Sequence, residues 1–252
     1  MNGRAATDRG AGPWAGELGA AAVAQLGPRR GERILHAGCG TGELSLQIAR
    51  MVGPRGAVLA VDPSAGLMAE AAEAAREEGL PVEFRAGGLE GPHAVGAPVH
   101  GVLLVRALSR GGDPFAVLAA AVAAAAPGGR VVAAEPVWAA AELEHPDPGL
   151  TRRVLSPRRV GIRRPGLPGE LPALLSAAGL LGVRLHPVVT EARGRAAVEE
   201  LLQPSAAALA PAEPDDVPAP VARAWWGAYG RLPDDEVAGR LPAVVAAGAV
   251  PA

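Results

Sequence analysis

Between residues 33 and 136 the chain alternates short apolar runs with helix-patterned segments, and this alternation restricts the fold more than any single motif. The runs "RILHAG", "AVLAVD", "VEFRAG", "GVLLVRAL" and "GRVVAAEPVW" are interleaved with "ELSLQIARMV", "AGLMAEAAEAAREEG" and "PFAVLAAAVAAAA". In the first of these segments Leu44, Ile48, Met51 and Val52 share one helical face, and Gly53-Pro54 ends it. "GVLLVRAL" is apolar without alternation, as expected of a strand covered on both faces. Strands alternating with helices predict an α/β fold, a mostly parallel sheet with helices on both faces.

The first strand runs into a glycine-rich turn, "AGCGTGE", where Gly38, Gly40 and Gly42 permit positive φ and let a ligand lie against bare backbone. The helix that follows offers unpaired N–H groups and a positive dipole end. Open α/β sheets bind ligands outside the carboxyl ends of their strands, so the turn marks a cofactor edge. A dinucleotide fingerprint needs its third glycine one residue later, where Glu43 stands, and no phosphate-binding lysine follows. A diphosphate is disfavoured, and a nucleoside ligand without phosphates fits better. Asp62 ends the second strand about 20 residues on, where a carboxylate can accept both ribose hydroxyls. The competing reading is that Asp62-Pro63-Ser64 caps the next helix.

Lysine is absent and the formal net charge is -2, so nothing favours nucleic-acid binding. The single cysteine, Cys39, excludes an intrachain disulfide. The amino-terminal "MNGRAATDRGAGPWAGELG" lacks a signal-peptide core, and "AVLAAAVAAAAPGG" is too short to span a membrane. A cytoplasmic protein with a small-molecule substrate, no membrane or nucleic-acid partner and no metal is expected. A homodimer is compatible with the sequence, which does not fix the oligomeric state.

Residues 1–13 read as a disordered tail and 14–252 as one domain. Its parts are a cofactor core at 30–138, a Pro- and Arg-rich insertion at about 139–170, and a completion of the sheet at 171–252. A short helix is expected at Gly149–Leu155. "RRVGIRR" reads as a solvated loop, with an acidic substrate as the alternative.

"ILHAGCGTGELSLQIA", "AVDPS" and "PGGRVV" resemble the class I S-adenosylmethionine-dependent methyltransferases, over about residues 30–185. "AAEPVW", "HPDPGLTRRVL" and "LPALLSAAGL" resemble the small-molecule, ubiquinone-biosynthesis-like branch. The resemblance implies a Rossmann-like, seven-stranded sheet whose last strand is antiparallel, and transfer of a methyl group from S-adenosylmethionine to a small acceptor, such as a natural-product intermediate, leaving S-adenosylhomocysteine. It places His36, Ala37, Gly38, Cys39, Gly40 and Gly42 along the methionine portion of the cofactor. Asp62 and Pro63 fall at the ribose, Gly88 and Leu89 at the adenine, and Val105 and Arg106 beside the methyl group.

Three positions depart from that pattern. His36, Gly88 and His100 stand where the family usually has acidic residues. Losing a charged hydrogen-bond acceptor costs about 1.5–3 kcal/mol. The departures therefore raise an alternative: a methyltransferase fold that does not methylate, as a cyclase-type enzyme or a non-catalytic partner subunit. For a general base or orienting group the candidates are Glu135, His145 and Arg106, with His186 and His93 less well placed. Glu135 ends the fifth strand at the ligand edge, and His145 sits in the insertion expected to roof the substrate. Trp14, Trp138, Trp225 and Trp226 are candidates for covering the site in a chain with 3% aromatics. His36 is expected to titrate near pH 6–7, its protonation weakening cofactor affinity.

Overall fold

A computed structural model describes residues 14–89, 98–110, 112–157, 159–211 and 216–252. The expected tail at 1–13, His93 and the side chain of Trp14 lie outside the described set. Trp14–Leu18 form a kinked wide turn that leads into α1 (Gly19–Leu26), which Gly27 closes at φ 55°. β1 (Arg33–Ala37), α2 (Glu43–Val52), β2 (Ala57–Asp62), α3 (Ala69–Glu77), β3 (Val82–Ala86) and β4 (Val99–Val105) follow the expected alternation.

α4 (Pro114–Ala124) starts on an Asp113 cap, whose carboxylate accepts from the Phe115 N–H. The sequence suggests that this helix runs to Ala126. It stops at Ala124, and β5 (Ala125–Pro136) begins at once. Pro127 is the reason, since the residue before a proline is driven out of the helical region. The register against β4 shifts between the Val99–Ala125 and Gly101–Arg130 pairs, where the two-glycine turn bulges out.

After β5 come the two-residue β6 (Glu142–Leu143), α5 (Pro148–Val154), α6 (Leu167–Ala177) and β7 (Leu181–Arg193). α7 (Arg195–Leu202), α8 (Pro204–Leu209), α9 (Ala219–Tyr229) and β8 (Ala238–Ala249) complete the chain. The short helix expected at Gly149–Leu155 is α5, shifted by one residue.

β3, β2, β1, β4 and β5 are parallel neighbours in that order. β8 then inserts antiparallel between β5 and β7. This is the expected doubly wound sheet with its last strand reversed. The eighth strand, β6, adds to it by pairing Leu143 with Gly239 just past the point where β5 leaves β8 at Ala243.

Successive residues of each strand face opposite sides and feed two cores. Ile34, Leu103, Val132 and Val245 pack with α1, α2 and the carboxyl-terminal helices. Leu35, Leu104, Val131 and Ala246 pack with α4 and α6. α5, α8 and α9 pack together beside the first core. Trp225 Nε1 donates to Thr151 Oγ1 at 2.9 Å, binding α9 to α5. Among the described residues no helix is long and apolar enough to cross a membrane.

Candidate cofactor site

β1 ends at the glycine turn, which the neighbouring strands fix from both sides. The N–H groups of Gly38 and Cys39 donate to the Val61 carbonyl of β2 at 2.9 and 3.2 Å. Gly38 has φ 74°, and a Cβ there would stand 2.7 Å from the Val105 carbonyl of β4. Only glycine permits both that φ and that approach. Gly42, at φ 84°, is packed against Ala71 and Phe84, so it shapes the turn from behind and does not line the cleft. At Gly40 a Cβ would meet nothing within 4 Å.

Asp62 closes the arrangement. Its Oδ2 accepts from the Gly40 N–H and its Oδ1 from the Ser64 N–H, both at 2.9 Å. Both readings of Asp62 therefore hold in part: it steadies the turn before α3, and it also reaches across to the glycine turn. Each carboxylate oxygen retains a further lone pair.

Around these groups lies a cleft of about 370 Å³ that spans the ends of β3, β2, β1 and β4. Eleven of the expected cofactor residues line it: His36, Ala37, Gly38, Cys39, Gly40, Asp62, Pro63, Gly88, Leu89, Val105 and Arg106. Thr41, Glu43, Leu67, Arg110, Gly112 and Val117 line it too and were not singled out from the sequence. For Arg110 and Gly112 the available signal was their place just after a strand at the carboxyl edge.

His36 is 1% exposed on the first-core side of β1. Its Nδ1 shares a 2.8 Å hydrogen bond with Ser45 Oγ, and its Nε2 is buried without a partner. Burial pushes the imidazole down to about 4. This corrects the expected titration near pH 6–7: removing the ring from water disfavours the imidazolium. Because the folded pKa lies below the unfolded one, protons favour the unfolded chain between the two values. Stability should therefore fall as pH drops below about 6.5, by about 1.4 kcal/mol per unit, and level off near pH 4. Urea denaturation at pH 7, 6 and 5 should show this extra slope in the wild type and not in His36→Gln. Parallel slopes would place a protonated ring in the folded state.

Cys39 is also buried; burial, then the Asp62 carboxylate, push its thiol up to about 12, so it is no nucleophile at neutral pH. Glu43 is raised by burial and then by Glu200 of α7.

Two of the proposed catalytic groups lie elsewhere. Glu135 is fully buried on the opposite face of the sheet and does not line the cleft. Its Oε1 accepts from the Leu108 and Ser109 N–H groups at 2.7 and 3.4 Å, and its Oε2 from Ser109 Oγ at 2.6 Å. Burial raises its carboxyl pKa, against these hydrogen bonds and Arg106. It is a positioning residue for the turn after β4. That turn holds Arg106 at φ 54°, its N–H on the Ala134 carbonyl at 2.9 Å.

His145 stacks on Trp225 at 5.0 Å and accepts from the Asp147 N–H through Nδ1. Its Nε2 therefore carries the proton and donates to the Trp225 carbonyl at 3.3 Å. His145 belongs to the packing of the added helices. Trp138 and Trp225 are each 2% exposed and serve the core. His186 is exposed on β7.

Among the three departures, His100 is remote. It lies at the amino end of β4, where Nδ1 accepts from the Arg33 N–H at 3.0 Å. That is a structural acceptor's task, so only His36 and Gly88 bear on the cleft.

Residues 34–129 match the model of a family described as a methyltransferase domain. The chain is thus similar to a methyltransferase domain from β1 to the start of β5. Its fold is shared with YcgJ from Bacillus subtilis, at TM-score 0.63 and 16% identity over 93% of this chain and 98% of that one. The [4+2]-cyclase SpnF aligns at TM-score 0.54 and 19% identity over 100% of this chain and 84% of its own. The Haemonchus contortus phosphoethanolamine N-methyltransferase 2 in complex with S-adenosyl-L-methionine aligns at TM-score 0.56 and 17% identity over 92% of this chain and 52% of its own. In sequence, an uncharacterized 37.1 kDa protein in transposon TN4556 of Streptomyces fradiae is 30% identical over 179 residues, 70% of this chain. The chain spans about half, 51%, of that relative.

Proposed function

We propose that the cleft binds S-adenosylmethionine and that the chain transfers its methyl group to a small-molecule acceptor, leaving S-adenosylhomocysteine. The observation that carries this reading is Asp62, a carboxylate at the end of β2 tied to the glycine turn, with Gly88 and Leu89 on one side and His36 on the other. The fit rests on the donor set. Asp62 would hold the ribose hydroxyls, and Leu67 and Leu89 supply apolar surface for the base. The buried Nε2 of His36 offers one polar contact to the amino-acid end. Glu43 at the start of α2 opposes a phosphate.

When bound, the cofactor supplies a methyl group already activated by a sulfonium. What remains for the protein is alignment and exclusion of water. Calorimetry with S-adenosylhomocysteine should give a dissociation constant in the micromolar range. Incubation with radiolabelled methyl donor and an extract of the source cells should label a small molecule. No binding at millimolar ligand would remove the cofactor assignment.

A second reading is favoured by His36 and Gly88, two cleft positions without the usual carboxylate, and by the likeness to a cyclase. On that reading the cofactor binds but no methyl group moves. Retained S-adenosylhomocysteine affinity with no labelled product would support it.

A further inference from the structure

The strand order lays the cleft out as a line. The ends of β3, β2, β1 and β4 follow one another along it and contribute Leu89, Asp62, His36 and Arg106 in turn. Charge is sorted along that line. The carboxylates stand at β2 and at the start of α2, in Asp62 and Glu43, whereas the cations among the described lining residues, Arg106 and Arg110, both stand beyond β4. We propose that the β4 end receives the methyl acceptor, and that this acceptor is an oxyanion, a carboxylate or an ionised phenol. The proposal rests on the methyl-transfer reading above.

Proton chemistry leads to the same class. The lining carboxylates, Asp62 and Glu43, belong to the β2 and α2 side of the line, and the lining residues described from Val105 onward include no acid or base besides the two arginines. His36 has a conjugate acid near 4, too weak a base for an alcohol or an ammonium. The Cys39 thiol, at about 12, holds its own proton. Asp62 is engaged by two N–H groups two strands away, and Glu135 lies out of the cleft with three donors on it. An amine would arrive as an ammonium, meet two guanidiniums and find no base among the described lining residues there. An oxyanion needs none. Its oxygen lone pair forms the bond to the methyl carbon as the C–S bond breaks, and that electron pair stays on sulfur. Anion and sulfonium become a neutral ester or ether and a neutral thioether, and no proton moves.

The cations also suit the task in geometry. A guanidinium fork matches a carboxylate with two parallel N–H bonds, and its five donors can serve a protein neighbour and a ligand oxygen together. The backbone of Arg106 is fixed by the turn that Glu135 supports. Arg106 sits at φ 54° in the turn that Glu135 supports, so a substitution there also acts on that turn, and Arg110 is the cation to test.

The test uses the full chain saturated with S-adenosylhomocysteine, titrated with benzoate, benzamide and benzylamine and followed by calorimetry and ligand-observed NMR. Benzoate should bind at least about tenfold more tightly than either of the others, and Arg110→Gln should cost it about tenfold. Arg110→Lys, which keeps the charge and loses the fork, should fall between. Circular dichroism and S-adenosylhomocysteine affinity of each variant report that the cleft is intact. Benzamide or benzylamine binding as well as benzoate, or an unchanged benzoate affinity in a folded Arg110→Gln, overturns the oxyanion. Failure of the wild type to bind S-adenosylhomocysteine removes the methyl-transfer reading and this proposal with it.

Discussion

Asp62→Ala is expected to weaken S-adenosylhomocysteine binding by about a hundredfold or more, two losses each of about 1.5–3 kcal/mol being at stake. The first is the direct contact of a carboxylate with vicinal hydroxyls. The second is preorganisation: without Asp62 the Gly40 and Ser64 N–H groups lose their acceptor, and the glycine turn keeps only its Gly38 and Cys39 bonds to the Val61 carbonyl of β2. Asp62→Asn separates the two. Its amide oxygen can keep one of the N–H bonds while the charge is gone, so it should bind more tightly than alanine and less tightly than wild type. Calorimetry on the three proteins at pH 7.5, with melting temperatures beside it, reads the result. An alanine variant that is folded and binds as well as wild type would show that Asp62 is only a turn residue.

Arg159→Ala is expected to cost about 3–5 kcal/mol of stability, the range for removing one partner of a buried ion pair. "RRVGIRR" reads in sequence as a solvated loop. The structure corrects this for Arg159, which is 7% exposed. Its Nη1 lies 2.6 Å from Asp216 Oδ2 and its Nε donates to the Ala207 carbonyl at 2.8 Å. Nη2 reaches the Ala208 and Ala210 carbonyls at 3.5 and 3.1 Å, and Nη1 the Val217 carbonyl at 3.4 Å. The last carbonyls of α8 are those a helix leaves without intrahelical donors, so the guanidinium caps that helix while fastening it to the loop after α5. Alanine leaves these acceptors and a carboxylate in a site water reaches poorly. Arg159→Lys keeps the charge but not the fork and should recover only part of the loss. Urea denaturation midpoints at pH 7.5 distinguish the cases. A shift under 1 kcal/mol in the alanine variant would mean that water replaces the guanidinium.

The parts of this protein legible in sequence are those set by neighbours along the chain. Periodicity places β1 to β5 and their helices, because burial on one or two faces repeats every few residues whatever the remote partner is. The glycine turn is local for the same reason: positive φ at Gly38 and Gly42 is a demand of the backbone itself, and Asp62 is carried to the same edge by one strand and one helix. The tertiary structure decided what each polar side chain does, because its partner is distant in sequence. His100 meets the N–H of Arg33, 67 residues away. Glu135 is turned by strand parity to the face opposite His36 and meets Ser109, 26 residues away. Arg159 meets Asp216 across 57 residues. His36 stands where the sequence suggests, yet its proton affinity comes from burial under α2, beside Ser45. A residue type states which hydrogen bonds a side chain can make; packing alone states which ones water no longer competes for.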